Sequence, residues 1–134
     1  MAGREPMRLL VDTQVFIWLM TEPRKISNAA FEACQNSENI LYLSVASVWE
    51  MQIKSQRGKL DLQLPLAQII REQTAGEKFI LLPIQVNHVL ALAELPLHHN
   101  DPFDRLLIAQ TKSENAQLVS VDAKFKNYPV DVIW

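Results

Sequence analysis

Cysteine and glycine are scarce in this sequence. Among 134 residues there is one cysteine, Cys34, and there are three glycines. A lone cysteine excludes an intramolecular disulfide and a cysteine-built zinc site, and it fits a reducing compartment. With so little glycine, no flexible linker is visible. We therefore predict a single domain over residues 1–134 and a cytoplasmic location.

Long apolar runs are also absent. The longest, residues 15–20, is far shorter than the ~20 residues that a membrane-spanning helix needs. Residues 1–8 carry charge and a proline without an apolar stretch, which predicts no signal peptide and no membrane association. With a formal net charge of −2, the molecule as a whole does not attract nucleic acid. An acidic protein can still bind phosphate, however, when its carboxylates hold a divalent cation.

Short apolar runs alternate with longer segments of helical periodicity. The runs that predict strands are residues 9–11, 40–43, 79–82, 118–121 and 130–133. The segments that predict helices are residues 13–22, 28–34, 64–73, 86–93 and 103–114, and one that starts at Ser44 or Ser47 and stops near Gly58. Helical crossovers join parallel strands, and strands buried on both faces are continuously apolar. The pattern predicts an α/β fold with a parallel sheet covered by helices on both faces.

Five acidic residues stand where such a sheet binds ligands, which is at the carboxyl ends of its strands. They follow strands or lie near the starts of helices: Asp12, Glu50, Asp101, Asp104 and Asp122. Taken singly, Asp12 and Asp101 could be only helix caps, and Asp122 could be only a turn residue. Glu50 is harder to explain as a purely structural residue, because it lies in the most apolar part of its helix, where an ionised carboxylate needs a partner.

A shared cation would explain why these acids are gathered. Clustered carboxylates repel one another unless positive charge lies between them. Mg²⁺ and Mn²⁺ prefer oxygen ligands and are commonly held by a few carboxylates together with substrate phosphates. Such an ion polarises a phosphoryl oxygen and lowers the pKa of a bound water. The acids therefore indicate a divalent-metal site that acts on phosphoryl groups.

The acids fall in four segments with a specific order and spacing. The segments are residues 9–13 (LLVDT), 44–51 (SVASVWEM), 101–110 (DPFDRLLIAQ) and 121–122 (VD). In these segments, and over essentially its whole length, the chain resembles PIN-domain ribonucleases of the VapC toxin type. The resemblance implies a three-layer α/β/α fold with a central parallel sheet of four to five strands. It also implies hydrolysis of RNA phosphodiester bonds that depends on Mg²⁺ or Mn²⁺ and leaves a 5′-phosphate and a 3′-hydroxyl.

The resemblance implies roles for individual acids. Asp12, Glu50 and Asp104 match the three metal-binding acids of the family. Asp122 matches a fourth and more peripheral acid, so all four are expected to be catalytic metal ligands. Asp101 is expected to support the site by capping the helix, by holding a water or by contacting Arg105.

Three further residues are expected to support the acids. The hydroxyls of Thr13 and Ser47 both donate and accept, so they are suited to steadying the site by hydrogen bonds. Arg105 has two readings of equal weight: it binds the scissile or an adjacent phosphate, or it pairs with a neighbouring aspartate.

The resemblance also implies protein partners. These are a cognate antitoxin, whose C-terminal segment would cover the acidic rim, and a second copy of the chain in a homodimer. An alternative class is a catalytically silent PIN-like domain that binds proteins. Equal RNA cleavage by the wild type and by Asp12→Asn would favour that alternative.

The remaining residues of chemical interest are interpreted as structural. Histidines are expected in loops and packing, tryptophans in the core, and basic residues on a solvated surface. The residues concerned are His88, His98 and His99, then Trp18, Trp49 and Trp134, then the basic residues Lys54, Arg57, Lys59, Lys112, Lys124 and Lys126.

Overall fold

A computed structural model describes residues 6–76, 78–97 and 100–134 of the chain, so the predictions for residues 1–5, His98 and His99 lie outside the described residues. The strands are β1 (Arg8–Val11), β2 (Ile40–Ser44), β3 (Ile80–Leu82), β4 (Gln117–Val119) and β5 (Val132–Ile133). The α-helices are α1 (Thr13–Thr21), α2 (Asn28–Gln35), α3 (Val45–Gln56), α4 (Leu66–Ala75), α5 (Val86–Ala91) and α6 (Pro102–Ser113). Short 3₁₀ helices cover Pro23–Lys25, Leu92–Glu94 and Ala123–Asn127.

The strands form one parallel sheet in the order β3-β2-β1-β4-β5. In register, Leu9 of β1 lies beside Leu41 of β2 and beside Gln117 of β4. The chain first builds outward from β1 to β2 and β3, and then continues on the other side of β1 with β4 and β5. The strand order therefore reverses between β1 and β4, and a crevice opens there at the carboxyl ends of the strands.

Two apolar cores lie on the two faces of the sheet. Leu9 and Val11 point into a core that contains Phe16 of α1 and residues of α2, α3 and α4. Leu10, between them in sequence, points into the other core, with Leu107 and its neighbours on α6. Because successive side chains of a strand point to opposite faces, both faces of β1 are buried, as its continuous apolar run predicts. The three-layer α/β/α fold is confirmed.

Side-chain caps set the boundaries of several helices. Asp12 accepts a hydrogen bond from the Val15 amide at 2.7 Å and starts α1. Of the two serines considered for α3, Ser44 is the cap and accepts from the Ala46 amide at 3.0 Å. α3 ends at Gln56, and the turn after it contains Gly58 with φ of 69°, a conformation that suits glycine.

The prediction that Trp49 lies in the core is wrong, whereas His88 is a packing residue as predicted. Trp49 is on the surface and not in the core: it is 55% exposed and stacks edge to face on Phe103, with ring centroids 5.1 Å apart. His88 is fully buried, as a packing residue should be, and its Nδ1 accepts from the Gln85 amide at 3.0 Å.

Within the described ranges, none of the helices has the length and hydropathy that crossing a membrane requires.

Candidate active site

An acidic cavity of about 360 Å³ opens at the crevice between β1 and β4. It collects residues from the loops after both strands, from α3 and from the start of α6. All five acids singled out in the sequence line it, together with two lysines: Asp12, Glu50, Asp101, Asp104, Asp122, Lys54 and Lys124. The sheet topology thus brings together side chains that are far apart in the chain.

Asp12 is the most buried acid of the cavity, with 7% of its surface exposed. Its Oδ1 accepts from the Val15 amide, and its Oδ2 accepts from the hydroxyl of Ser120 at the end of β4. Burial raises the pKa of Asp12 to about 6, the charges of Asp104 and Asp122 add to this effect, and the two hydrogen bonds oppose it. The carboxyl group is therefore fixed in place where negative charge is costly.

Glu50 is held by a pair of hydroxyls and a lysine. The Thr13 hydroxyl lies 2.8 Å from Glu50 Oε1 and 2.8 Å from the Ser47 hydroxyl. Because a threonine hydroxyl has one proton, it can donate to Glu50 while it accepts from Ser47. Lys54 Nζ contacts Glu50 Oε2 at 2.9 Å, one helical turn along α3. Thr13 and Ser47 thus lie where they can orient Glu50.

Asp104 and Asp122 share one lysine. Lys124 Nζ lies 3.0 Å from Asp104 Oδ2 and 3.2 Å from Asp122 Oδ2. Burial raises the pKa of Asp104, the contact with Lys124 opposes this, and the charges of Asp101 and Glu50 add to it. Hydrogen bonds to the two aspartates raise the pKa of Lys124 above its usual range. The ammonium group therefore stays charged between two carboxylates.

Asp101 and Arg105 lie at the edge of this arrangement. Asp101 caps α6: its Oδ1 accepts from the amides of Phe103 and Asp104 at 2.9 and 3.1 Å. The Arg105 guanidinium donates to the carbonyls of Pro96 at 2.9 Å and Leu92 at 3.1 Å. It does not line the cavity. In the structure Arg105 therefore holds the segment before α6, and a contact with an RNA phosphate stays a prediction.

The donor set suits a hydrated divalent cation. In the described part of the chain, no group of three His, Cys, Asp or Glu side chains is arranged to hold an ion directly. Mg²⁺ does not require such a cage, since it keeps several waters and is bound through one or two carboxylates. The raised pKa of Asp12 and the Lys124 ammonium between Asp104 and Asp122 both mark places where positive charge is favoured. The residues therefore fit Mg²⁺ or Mn²⁺ with water between ion and protein.

Ser120 and the contacts of two lysines were not predicted from the sequence. Ser120 is buried, donates to Asp12 and accepts from the Asp122 amide at 3.1 Å. Its signal in the sequence is a hydroxyl residue two positions before an acid at the end of a strand, which favours a local turn. Lys54 and Lys124 were expected on a solvated surface, and their side chains are 46% and 41% exposed, but both also contact acids of the cavity.

Neutralising Asp12 is expected to stabilise the metal-free protein at neutral pH. The pKa of Asp12 is about 6 in the folded chain against 3.8 in a model peptide, so the folded state binds more protons between these values and stability falls as pH rises through them. In EDTA, the stability of Asp12→Asn should exceed that of the wild type by roughly 3 kcal/mol at about pH 7.5 and match it at about pH 4. Urea unfolding at several pH values measures this difference. A constant difference across the range would contradict it.

Removing the Thr13 hydroxyl is expected to weaken both stability and the site. In Thr13→Val the shape is kept, but buried Ser47 and partly buried Glu50 lose their hydrogen bonds with the Thr13 hydroxyl, which costs roughly 1–3 kcal/mol. Thr21→Val at the other end of α1 is the control, because it removes a hydroxyl that donates only to the Ile17 carbonyl. Urea unfolding of both variants is the measurement. Equal losses of unfolding free energy in the two variants would contradict a specific contribution of the Thr13 hydrogen bonds to stability.

Comparisons with known proteins agree with the fold. The sequence matches the model of the PIN domain family over residues 9–131. Among curated proteins, none matches the chain. VapBC2 from Rickettsia felis, solved with a DNA fragment from its promoter, has a TM-score of 0.69 at 16% identity, and the match covers 95% of this chain and 98% of that one.

Two further solved structures are similar over nearly their full length. FitAcB from Neisseria gonorrhoeae has a TM-score of 0.64 at 20% identity, with 94% of this chain and 96% of that one covered. The PIN domain endonuclease Utp24 has a TM-score of 0.51 at 15% identity, with 96% and 97% covered. At such identities these similarities concern the fold.

Proposed function

The chain belongs to the PIN domain family, and from this membership we propose that it is a ribonuclease that hydrolyses RNA phosphodiester bonds with Mg²⁺ or Mn²⁺. The proposal extends to a biological role as the toxin of a toxin–antitoxin pair. One observation carries the enzymatic part: carboxylates from four separate places in the chain line a single cavity at the switch point of the sheet. PIN domains are generally nucleases, which supports the same assignment.

Four acids would hold the metal. These are Asp12, Glu50, Asp104 and Asp122, each of which lines the cavity. A divalent ion bound there would polarise a phosphoryl oxygen and lower the pKa of a bound water. A scaffold without catalytic activity gains nothing from this set, because mutual repulsion and burial of the acids lower its stability.

The protein's own side chains would keep the acids in place while RNA binds. The α1 cap and the Ser120 hydroxyl fix both oxygens of Asp12. The Thr13 hydroxyl and Lys54 fix the two oxygens of Glu50. Holding charged groups in position before substrate arrives lowers the reorganisation needed during the reaction. The products we propose are a 5′-phosphate and a 3′-hydroxyl.

One structural neighbour supports the proposed partners. A toxin–antitoxin complex from Klebsiella pneumoniae has the same fold, with a TM-score of 0.63 at 16% identity and 94% of this chain and 96% of that one covered, which supports a cognate antitoxin for this chain. We propose that a segment of this antitoxin covers the acidic cavity, and that two copies of the chain form a homodimer. Light scattering on the chain alone and with its antitoxin tests the homodimer and the formation of a complex. A cytoplasmic location stays a prediction, for which the single buried cysteine is the support.

Cleavage of defined nucleic acids tests the proposed reaction. The purified chain is incubated with structured RNAs, single-stranded RNA and single-stranded DNA of matched sequence, each with Mg²⁺ or Mn²⁺. We expect discrete cleavage of RNA, with products that a 5′-phosphate-dependent exonuclease degrades. Cleavage of DNA alone, or RNA products with cyclic phosphate ends, would contradict the proposal.

A further inference from the structure

The ammonium group of Lys124 occupies a distinctive position among the ion pairs of the described residues. It contacts carboxylates from two different elements, Asp104 on α6 at 3.0 Å and Asp122 after β4 at 3.2 Å. Among the described residues, Lys25 and Lys54 each pair with one acid about one helical turn away, Glu22 and Glu50. Lys124 is therefore a cross-link inside the proposed metal site and differs from a local surface pair.

We infer that Lys124 is an internal counter-cation that competes with the divalent metal for Asp104 and Asp122. The inference rests on the proposed metal site, since it concerns a residue that would have to leave that site. In the metal-free protein the ammonium neutralises two acids that would otherwise repel each other. Its side chain is 41% exposed, so the flexible stem has open space into which the charge can withdraw. Both contacts of Lys124 with the aspartates therefore have to break when a metal ion binds.

The competition follows from where the charges lie. An ammonium within about 3 Å of two carboxylate oxygens occupies the space that a cation bound to the same oxygens needs. Even a displaced ammonium repels a divalent ion across a few ångströms, and this repulsion is stronger beside buried carboxylates than in bulk water. Both effects weaken metal binding, and neither depends on the titration of a group.

Mn²⁺ binding to Lys124 variants tests the inference without any measurement of RNA cleavage. Lys124→Met keeps the length of the side chain and removes its charge, and paramagnetic resonance of free Mn²⁺ gives the Kd. We expect the Kd to fall roughly fivefold, the scale of losing one or two partly exposed ion pairs. In EDTA, the variant should unfold at a lower temperature than the wild type, and saturating Mn²⁺ should close or reverse that gap.

Two matched variants isolate the effect of position. Lys126→Met makes the same change in the same 3₁₀ helix, at an exposed residue that does not line the acidic cavity, and should leave the Kd unchanged. Lys124→Arg keeps the positive charge and should behave as the wild type does. If Lys124→Met fails to fold, Lys124→Gln replaces it, with the same expected fall in Kd.

The outcomes separate this inference from the proposed function. A Kd for Lys124→Met equal to or above that of the wild type would overturn the inference and leave the nuclease proposal standing. Tighter Mn²⁺ binding by Lys124→Met, in a protein that cleaves no RNA, would support the inference and contradict the proposed reaction. Absence of Mn²⁺ binding to every variant would overturn both.

Discussion

Asp12→Asn is expected to lower RNA cleavage by roughly 10²–10³-fold, the scale of losing one charged metal contact in a catalytic site. Asparagine keeps the helix cap, because its amide oxygen can still accept from the Val15 amide. Its NH₂ group can hydrogen bond to Ser120, but the negative charge that attracts a divalent ion is gone. The expected loss therefore concerns the reaction and not the fold. Single-turnover rates, with circular dichroism as a check of folding, measure it.

Asp131→Asn is the matched control for that variant. It removes the same charge at an exposed residue before β5 that does not line the acidic cavity, and the β4 contact there uses only its backbone carbonyl. We expect its cleavage rate to equal that of the wild type. Wild-type rates in Asp12→Asn as well would favour the catalytically silent binding module, in which the acids have no chemical task.

Chelation of divalent metal is expected to have the largest effect on activity. EDTA should lower RNA cleavage to the level of a no-enzyme control, at least ~10³-fold, and excess Mg²⁺ or Mn²⁺ should restore it. The fold should survive, because its two cores are built from apolar side chains on the two faces of the sheet. Far-ultraviolet circular dichroism in EDTA checks this second part.

A preparation of Asp12→Asn purified in parallel guards the chelation experiment against contaminating nucleases. Activity that disappears with EDTA but persists in the variant would belong to a contaminant. Activity of the wild type that persists in EDTA would contradict a metal-dependent reaction.

Much of the fold could be predicted because its signals are local. Both faces of β1 are buried over Leu9–Val11, where all the side chains are apolar, and caps at Asp12, Ser27 and Asp101 mark where helices begin. Boundaries were less certain where no side-chain cap exists. α4 begins at Leu66 after Pro65, which provides no side-chain hydrogen bond, and the predicted start was two residues earlier.

The site was predictable only where sheet topology dictates position. Strand ends locate Asp12 and Asp122, but the contact between Ser120 and Asp12 joins residues 108 positions apart, and no local pattern reveals it. The contacts of Lys124 with acids were equally hard to predict, since a lysine in a polar segment is typical of a solvated surface. The contacts of Arg105 were hard to predict for a related reason: its partners are the carbonyls of Leu92 and Pro96, which any sequence would supply.

The exposed face of α3 shows how tertiary packing overrides an apolar pattern. In the sequence, Trp49 lies between partly buried Val48 and cavity-lining Glu50, and the helical pattern of apolar residues predicted that it joins the core. Met51 takes the buried position and Glu50 lines the cavity, which leaves Trp49 to an outer face beside Phe103. Apolar residues on three sides of a helix cannot all be buried by one sheet.

The central claim is that acids from separate parts of the chain share one divalent cation. Crystals grown without metal and soaked in Mn²⁺ test it most directly, because manganese scatters anomalously. The account predicts an anomalous peak in the cavity, within direct or water-bridged reach of Asp12 and Asp104. It also predicts that this peak is absent from Asp12→Asn crystals treated in the same way. Manganese bound only elsewhere on the wild-type protein, or none at all, would contradict the account.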